Sequence, residues 1–226
     1  MSEYLLINIL IIIVPLLLSF EKKLQFYKQL PYLFYSILIV STIYIIWDSL
    51  ATSRGDWSFN PEYVSDFKLL GLPFEEILFF ITVPYSIIFI YETFRFYFND
   101  KKLNINSKIS YSAGIILILA AFMFMELNYT FIVLLYCGLF FLLSPWIDNY
   151  IIKSKVFWLT IFISFIPFLI VNYILTAVPI VTYNNAEIWG ERFFTIPIED
   201  FFYTFSMISY WLLFYHLFKI KLSGHE

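Results

Sequence analysis

Two short acidic motifs hold the residues best suited to chemistry in this sequence. Pro73-Phe74-Glu75-Glu76 and Pro197-Ile198-Glu199-Asp200 each place two carboxyl groups shortly after a proline. Proline at the first position of a helix costs no hydrogen bond, because the N–H it lacks would have no intrahelical partner. The acids then fall in the first turn, where the positive end of the helix dipole favours negative charge. That explanation suffices for one acidic residue at the start of a soluble helix. Here four stand at matching positions beside long apolar runs, and ionisable groups at membrane depth are costly enough to mark function. Several carboxyls in one apolar cleft can hold a proton among them, which supplies a general acid beside a carboxylate base. Adjacent helical residues point about 100° apart. One acid of each pair can therefore face such a cleft while the other does not, and the spacing fits either choice.

The motifs belong to a longer internal repeat. Residues 72–79 match residues 196–203 at an offset of 124, and the same offset carries Tyr91 onto Tyr215 and Asp48 onto Asn172. Asp48 ends an apolar run next to Trp47 and is either a member of the acidic cluster or a marker of the interface. Trp57, Phe59, Trp189, Phe193 and Phe194 populate the segments that precede the two motifs. Such aromatics form a belt at headgroup level, or else a π-rich wall for a cation or a polyene. The candidate catalytic residues are thus Glu75, Glu76, Glu199 and Asp200. The candidate substrate-binding residues are Pro73, Pro197, Asp48, Trp57, Phe59, Trp189 and Phe193. Glu92 and its counterpart His216 read as interhelical or interfacial polar contacts, and His225 as tail.

Positioning these groups requires helices in lipid. The chain of 226 residues is 61% hydrophobic and only 14% charged, whereas a soluble domain is about a quarter charged. The surplus apolar surface must face a bilayer. Seven runs near spanning length occur, at 4–20, 31–50, 73–98, 109–125, 129–147, 156–178 and 196–220. The expected fold is an all-α polytopic membrane bundle of seven transmembrane helices. The offset lays spans one to three over spans five to seven. Span four returns the chain, so the two three-helix repeats run parallel, related by an axis along the membrane normal. The expected division is 1–98 for the first repeat, 99–127 for the linking helix and 128–226 for the second repeat. Lys22 and Lys23 follow the first run where a signal peptide would have a cleavage site, so that run reads as a retained span. Of the 14 Lys and Arg residues, 11 fall on the side of the loops after spans one, three and five and only Arg54, Lys68 and Arg192 on the other. The positive-inside rule then puts the N-terminus outside a cell membrane and the C-terminus in the cytoplasm.

Several classes are disfavoured. A net charge of -3 gives no reason to expect a nucleic-acid partner. The sequence has no Gly-x-Gly-x-x-Gly and no P-loop, so no dinucleotide or nucleoside triphosphate site is indicated. Two histidines cannot furnish a histidine-rich di-iron site, and no Asn-Asp-x-x-Asp motif suggests a magnesium-diphosphate prenyltransferase. No metal and no cofactor is expected. Cys137 is the only cysteine and lies in an apolar run. A membrane transporter and an isoprenoid prenyltransferase of helical-bundle type are the alternatives from other classes.

The run from Trp57-Ser58-Phe59-Asn60-Pro61 through Leu72-Pro73-Phe74-Glu75-Glu76-Ile77-Leu78-Phe79-Phe80 to Tyr91-Glu92 resembles the lycopene cyclase domain, the small membrane type of carotenoid cyclase. The second copy, from Trp189 through Ile196-Pro197-Ile198-Glu199-Asp200-Phe201-Phe202, looks like its partner domain, so the chain is similar to the fused form. The copies differ: Phe80 becomes Thr204, Glu92 becomes His216, and Trp47-Asp48 becomes Val171-Asn172. The resemblance implies a lycopene β-cyclase of carotenoid biosynthesis. A terminal double bond of the linear ψ end group is protonated, a neighbouring double bond closes a six-membered ring on the cation, and loss of a proton gives a β-ionone ring. That is an isomerisation without net redox. The implied partners are lycopene and the lipid bilayer, with room for contact with other enzymes of carotenoid synthesis.

Overall fold

The computed structural model describes residues 1–223, so His225 lies outside the described residues. The described chain is mostly helical, with seven α-helices: α1 (Glu3–Leu18), α2 (Leu30–Arg54), α3 (Phe74–Tyr97), α4 (Ser107–Met123), α5 (Asn128–Ile147), α6 (Lys155–Ala177) and α7 (Glu199–Ser223). Short strands fill the connections at one end: β1 (Trp57–Phe59), β2 (Lys68–Leu69), β3 (Leu72–Pro73), β4 (Val181–Tyr183), β5 (Arg192–Phe193) and β6 (Ile196–Pro197).

Four helical segments are long and apolar enough to cross a membrane: Phe26–Arg54, Phe74–Tyr97, Asn128–Ile147 and Lys155–Ala177. The outward faces are apolar, with Phe34, Leu38 and Ile46 on α2, Ile116 and Leu119 on α4, and Phe162 and Ile166 on α6 all exposed. These features fit a membrane protein. The remaining three helices fall outside that group for different reasons. α1 has 16 residues and α4 has 17, about 24–26 Å at 1.5 Å per residue. α1 ends at Ser19, whose N–H bonds the Leu16 carbonyl and whose hydroxyl bonds the Pro15 carbonyl (2.7 Å), and a 3-10 turn at Phe26–Gln29 leads into α2. α7 has 25 residues but carries Ser206, Ser209 and His216 on its buried side.

Four prolines lie inside helices, and each frees the carbonyl four residues earlier. Neighbouring helices satisfy three of these. Ser86 Oγ donates to Ile11 O at 2.9 Å, opposite Pro15. Ser41 Oγ donates to Phe80 O at 2.7 Å, opposite Pro84. Ser110 Oγ donates to Phe141 O at 2.6 Å, opposite Pro145. This is how proline is tolerated in an apolar helix bundle. Ser41 also accepts from the Trp211 indole N–H at 3.0 Å. Replacing Ser41 with Ala strands both groups in a buried place. We expect the variant to lose about 1–3 kcal/mol of stability, read as a lower unfolding midpoint in detergent. An unchanged midpoint would contradict this role.

The helices pair in matching ways. α1 packs on α3 and α5 on α7, while α2 packs on α7 and α6 on α3. The α2–α7 seam is closed by Tyr44 Oη to Ser206 Oγ (2.8 Å) and Ser36 Oγ to Trp211 O (2.7 Å). α4 lies along α5. A Cβ on Gly114 would stand 2.8 Å from the Gly138 carbonyl oxygen, so that crossing admits only glycine.

The strands position the ends of the bundle. β1 and β4 form an antiparallel ribbon with Ser58 opposite Thr182, residues 124 apart. β2–β3 and β5–β6 form two hairpins, again 124 residues apart. Leu70 and Gly71 both have positive φ, the requirement of a tight two-residue hairpin turn. Pro73 was expected to open α3. It instead closes β3 and stands one residue before the helix, and Pro197 likewise closes β6. With no N–H to give, proline suits the last position of such a ladder.

Candidate active site

A cavity of ≈390 Å³ opens at the strand-bearing end, between α1, α3, α6 and α7 and beneath β1 and β4. Leu10 on α1 and Ile170 on α6 line it and are also exposed on the outer surface. The cavity therefore opens sideways between those helices. Its walls are mainly apolar, and three carboxyl groups reach it: Asp48, Glu76 and Asp200.

Asp48 and Glu76 form a pair. Asp48 Oδ1 accepts from the Trp57 indole N–H (3.0 Å) and from Thr52 Oγ1 (3.4 Å). Tyr4 Oη donates to Glu76 Oε2 at 2.5 Å. Both carboxyls line the same cavity. As carboxylates neither can donate, and Asp48 Oδ2 is then buried without a partner. A carboxyl that holds a proton gains the donor that a carboxylate lacks. Asp48 and Glu76 are 2% and 9% exposed.

Asp200 is held differently. Tyr129 Oη donates to its Oδ1 at 2.6 Å and Tyr183 Oη to its Oδ2 at 3.0 Å. Both oxygens thus accept from phenols, the arrangement that suits a fixed carboxylate. Tyr183 lies on β4, beyond the helices. Burial first, and then the Asp200 carboxylate, hold its phenol well above the usual range, with Glu76 and Asp48 adding to the effect. Tyr183 therefore remains a donor and stands within electrostatic reach of both acidic groups.

An aromatic cluster backs the acids. Trp57 and Tyr129 ring centroids are 5.1 Å apart, Tyr129 and Tyr183 stack at 5.7 Å, and Trp47 and Tyr203 lie at 5.4 Å. Negative ring faces beside an apolar cavity stabilise positive charge.

A family model described as lycopene cyclase matches residues 2–94 and, a second time, residues 126–218. The chain belongs to the lycopene cyclase family. The two matched stretches begin 124 residues apart, the offset read from the acidic motifs. Comparison with curated proteins and with solved structures returned no match.

Within this family member the sequence candidates separate into two groups. Glu76, Asp200, Asp48, Trp57 and Phe59 line the cavity. Glu75 and Glu199 turn away from it. Glu75 accepts from Ser2 Oγ (2.5 Å), the Ser65 N–H (2.8 Å) and Ser65 Oγ (3.0 Å). Glu199 accepts from Thr130 Oγ1 and the Trp189 N–H, both at 2.6 Å. The first acid of each motif thus ties the preceding loop to the helix mouth, and residues 65 and 189, again 124 apart, donate the same backbone N–H. Trp189 and Phe193 are largely exposed and do not line the cavity, and neither do Pro73 and Pro197.

Tyr4, Tyr129, Tyr183 and Tyr203 are cavity residues that the sequence reading left out. Their one signal was position: tyrosines at the same end of the spans as the acids. Glu92 and His216 lie at the opposite end. Lys219 Nζ donates to Glu92 at 2.7 Å, and His216 pairs with Asp148 and stacks on Tyr150 at 4.9 Å. Among the described residues no group of three or more His, Cys, Asp or Glu side chains gathers as a metal site would require.

Proposed function

We propose that the chain is a lycopene β-cyclase that converts ψ end groups into β-ionone rings by proton transfer alone. The observation that carries this reading is the convergence of the Asp48 and Glu76 carboxyls and a separate, phenol-bound Asp200 on one apolar cavity with an aromatic back wall. The Asp48–Glu76 pair delivers its shared proton to the terminal double bond. The neighbouring double bond attacks the resulting cation and closes the ring. Trp57, Tyr129 and Tyr203 lie where a cation gains from ring faces. Asp200 balances the positive charge and accepts the proton that leaves. Glu75 and Glu199 act as positioning residues that fix the helix mouths. A proton gained and a proton lost leave no redox change.

A cavity of ≈390 Å³ suits one end of a C40 polyene rather than the whole molecule, and its lateral opening lets the rest of the chain stay in lipid. In this reading all seven helices cross the bilayer, with the acids toward the outer side, the N-terminus outside and the C-terminus in the cytoplasm. Residues 1–98 and 128–226 form two parallel repeats about an axis through the Ser58–Thr182 pair, joined by the linking helix within 99–127. The swapped packing of α2 on α7 and α6 on α3 supports that relation. The repeats are chemically unequal, because Asn172 stands where the first copy has Asp48.

Expression in cells that accumulate lycopene tests the reading. We expect the red pigment to turn orange-yellow, with β-ring products in the extract. Unchanged lycopene, with the protein present in the membrane, would overturn it.

A further inference from the structure

A duplicated bundle has two related clefts. The first holds the ≈390 Å³ cavity between α1, α3, α6 and α7. Its counterpart lies between α5, α7, α2 and α3. The 124-residue offset maps α2 onto α6 and α3 onto α7. On α5 the match runs one residue further. Tyr129 bonds Asp200 as Tyr4 bonds Glu76. Tyr210 Oη donates to Tyr136 O (3.3 Å) as Ser86 Oγ donates to Ile11 O (2.9 Å).

Four wall positions then compare directly. Ile11, Ser86, Val171 and Thr204 line the cavity. Their counterparts are Tyr136, Tyr210, Trp47 and Phe80, aromatic in every case. These rings occupy the second cleft. Trp47 and Tyr136 have centroids 5.9 Å apart, and Tyr44 stands 5.2 Å from Tyr136. Phe80 is fully buried in the same apolar cluster as Tyr44. Tyr203 lies between the clefts, lining the cavity on one side and meeting Tyr44 and Trp47 (both 5.4 Å) on the other. A bulky ring in place of a small or branched side chain takes up the room that a ligand would need.

We propose that the chain has a single end-group site, and that Trp47, Phe80, Tyr136 and Tyr210 form the plug that limits it to one end of a polyene at each binding event. The single cleft stands on packing alone, whereas its consequence for products rests on the cyclase reading. One ψ end enters, gains a proton at its terminal double bond, closes a ring and loses a proton from carbon. The product is an isomer with one ring. Its other end stays outside in lipid, beyond the reach of the acids. A second ring requires the monocyclic product to leave, turn end for end and bind again.

Photolabelling of the full chain in lipid vesicles tests the single cleft, using a C40 polyene with a diazirine at one ψ end. Label should fall on α1 and α6, within residues 7–15 and 164–175. It should be several-fold weaker on residues 40–47 and 132–140, which border the filled cleft. Thr204→Phe copies Phe80 into the open cleft and should cut the labelling of α1 and α6 several-fold. Tyr136→Ile with Tyr210→Ser should add label on residues 132–140; if that variant does not fold, the parent pattern and Thr204→Phe decide. Equal labelling of both pairs of segments, labelling of neither, or undiminished labelling in Thr204→Phe overturns the single site. A chase tests the order of products. Lycopene labelled with carbon-13 is given below the amount of protein, and a large excess of unlabelled lycopene follows the first turnover. The label should remain in monocyclic carotene. Label that reaches bicyclic product equally with and without the chase overturns one end per binding event. Absence of any ring counts against the cyclase reading instead, and the photolabelling still decides the cleft.

Discussion

Glu76→Gln is expected to abolish ring formation, lowering turnover by about 10²–10⁴-fold, the usual contribution of a positioned general acid. The amide keeps the shape of the side chain and can still accept the Tyr4 hydroxyl that bonds Glu76 Oε2 at 2.5 Å. It cannot release a proton. In the proposed mechanism Asp48 and Glu76 share that proton, so Asp48→Asn should fall nearly as far, and the double variant should be little worse than either single one. That non-additivity marks two residues acting as a unit. Glu75→Gln is the internal contrast. Its partners are Ser2 and Ser65, away from the cavity, so its effect should appear in protein stability before turnover. Carotenoid extraction, normalised to folded membrane protein, reads each variant. Turnover of Glu76→Gln within tenfold of the parent would remove Glu76 from the acid role.

Asp200→Asn carries the second large expected effect, a loss of about 10²–10³-fold. Here the charge matters rather than a proton to give. The carboxylate lies between the phenols of Tyr129 and Tyr183, and an asparagine can keep both contacts if one phenol reverses its donor role. The site then stays folded but loses its counter-charge to the cation. Interactions made only with the charged intermediate lower turnover rather than substrate affinity, so kcat should drop while KM stays near the parent value. A raised KM with unchanged kcat would assign Asp200 to binding instead.

Much of the architecture was legible because it depends on composition and spacing. Long uncharged runs specify helices, and the 124-residue offset between the two acidic motifs reappears in the two stretches matched by the family model. Side-chain direction was not legible. Glu75 and Glu76 are neighbours with similar chemistry, and what holds Glu75 away from the cavity is a backbone N–H and hydroxyl from Ser65, ten residues away in a loop. The aromatics divided for a similar reason. Trp57 lines the cavity because β1 pairs with β4 across a large part of the chain, which also brings in Tyr183. Trp189 and Phe193, equally aromatic and also close to an acidic motif, lie on the surface. No local pattern separates these cases, since the deciding contacts are long-range. The first and fourth apolar runs, 4–20 and 109–125, reappear shifted by one to two residues as α1 and α4.

The most direct measurement is the mass of the product formed in heavy water. Protein in lipid vesicles equilibrated in D2O is given unlabelled lycopene, and the cyclised product is weighed by mass spectrometry. A carboxyl proton shared by Asp48 and Glu76 exchanges with solvent between turnovers, whereas the proton lost on ring closure comes from substrate carbon. The product should therefore gain about one deuterium for each ring, and Glu76→Gln should form neither ring nor label. Full conversion to rings that contain no deuterium would contradict proton delivery from these carboxyls.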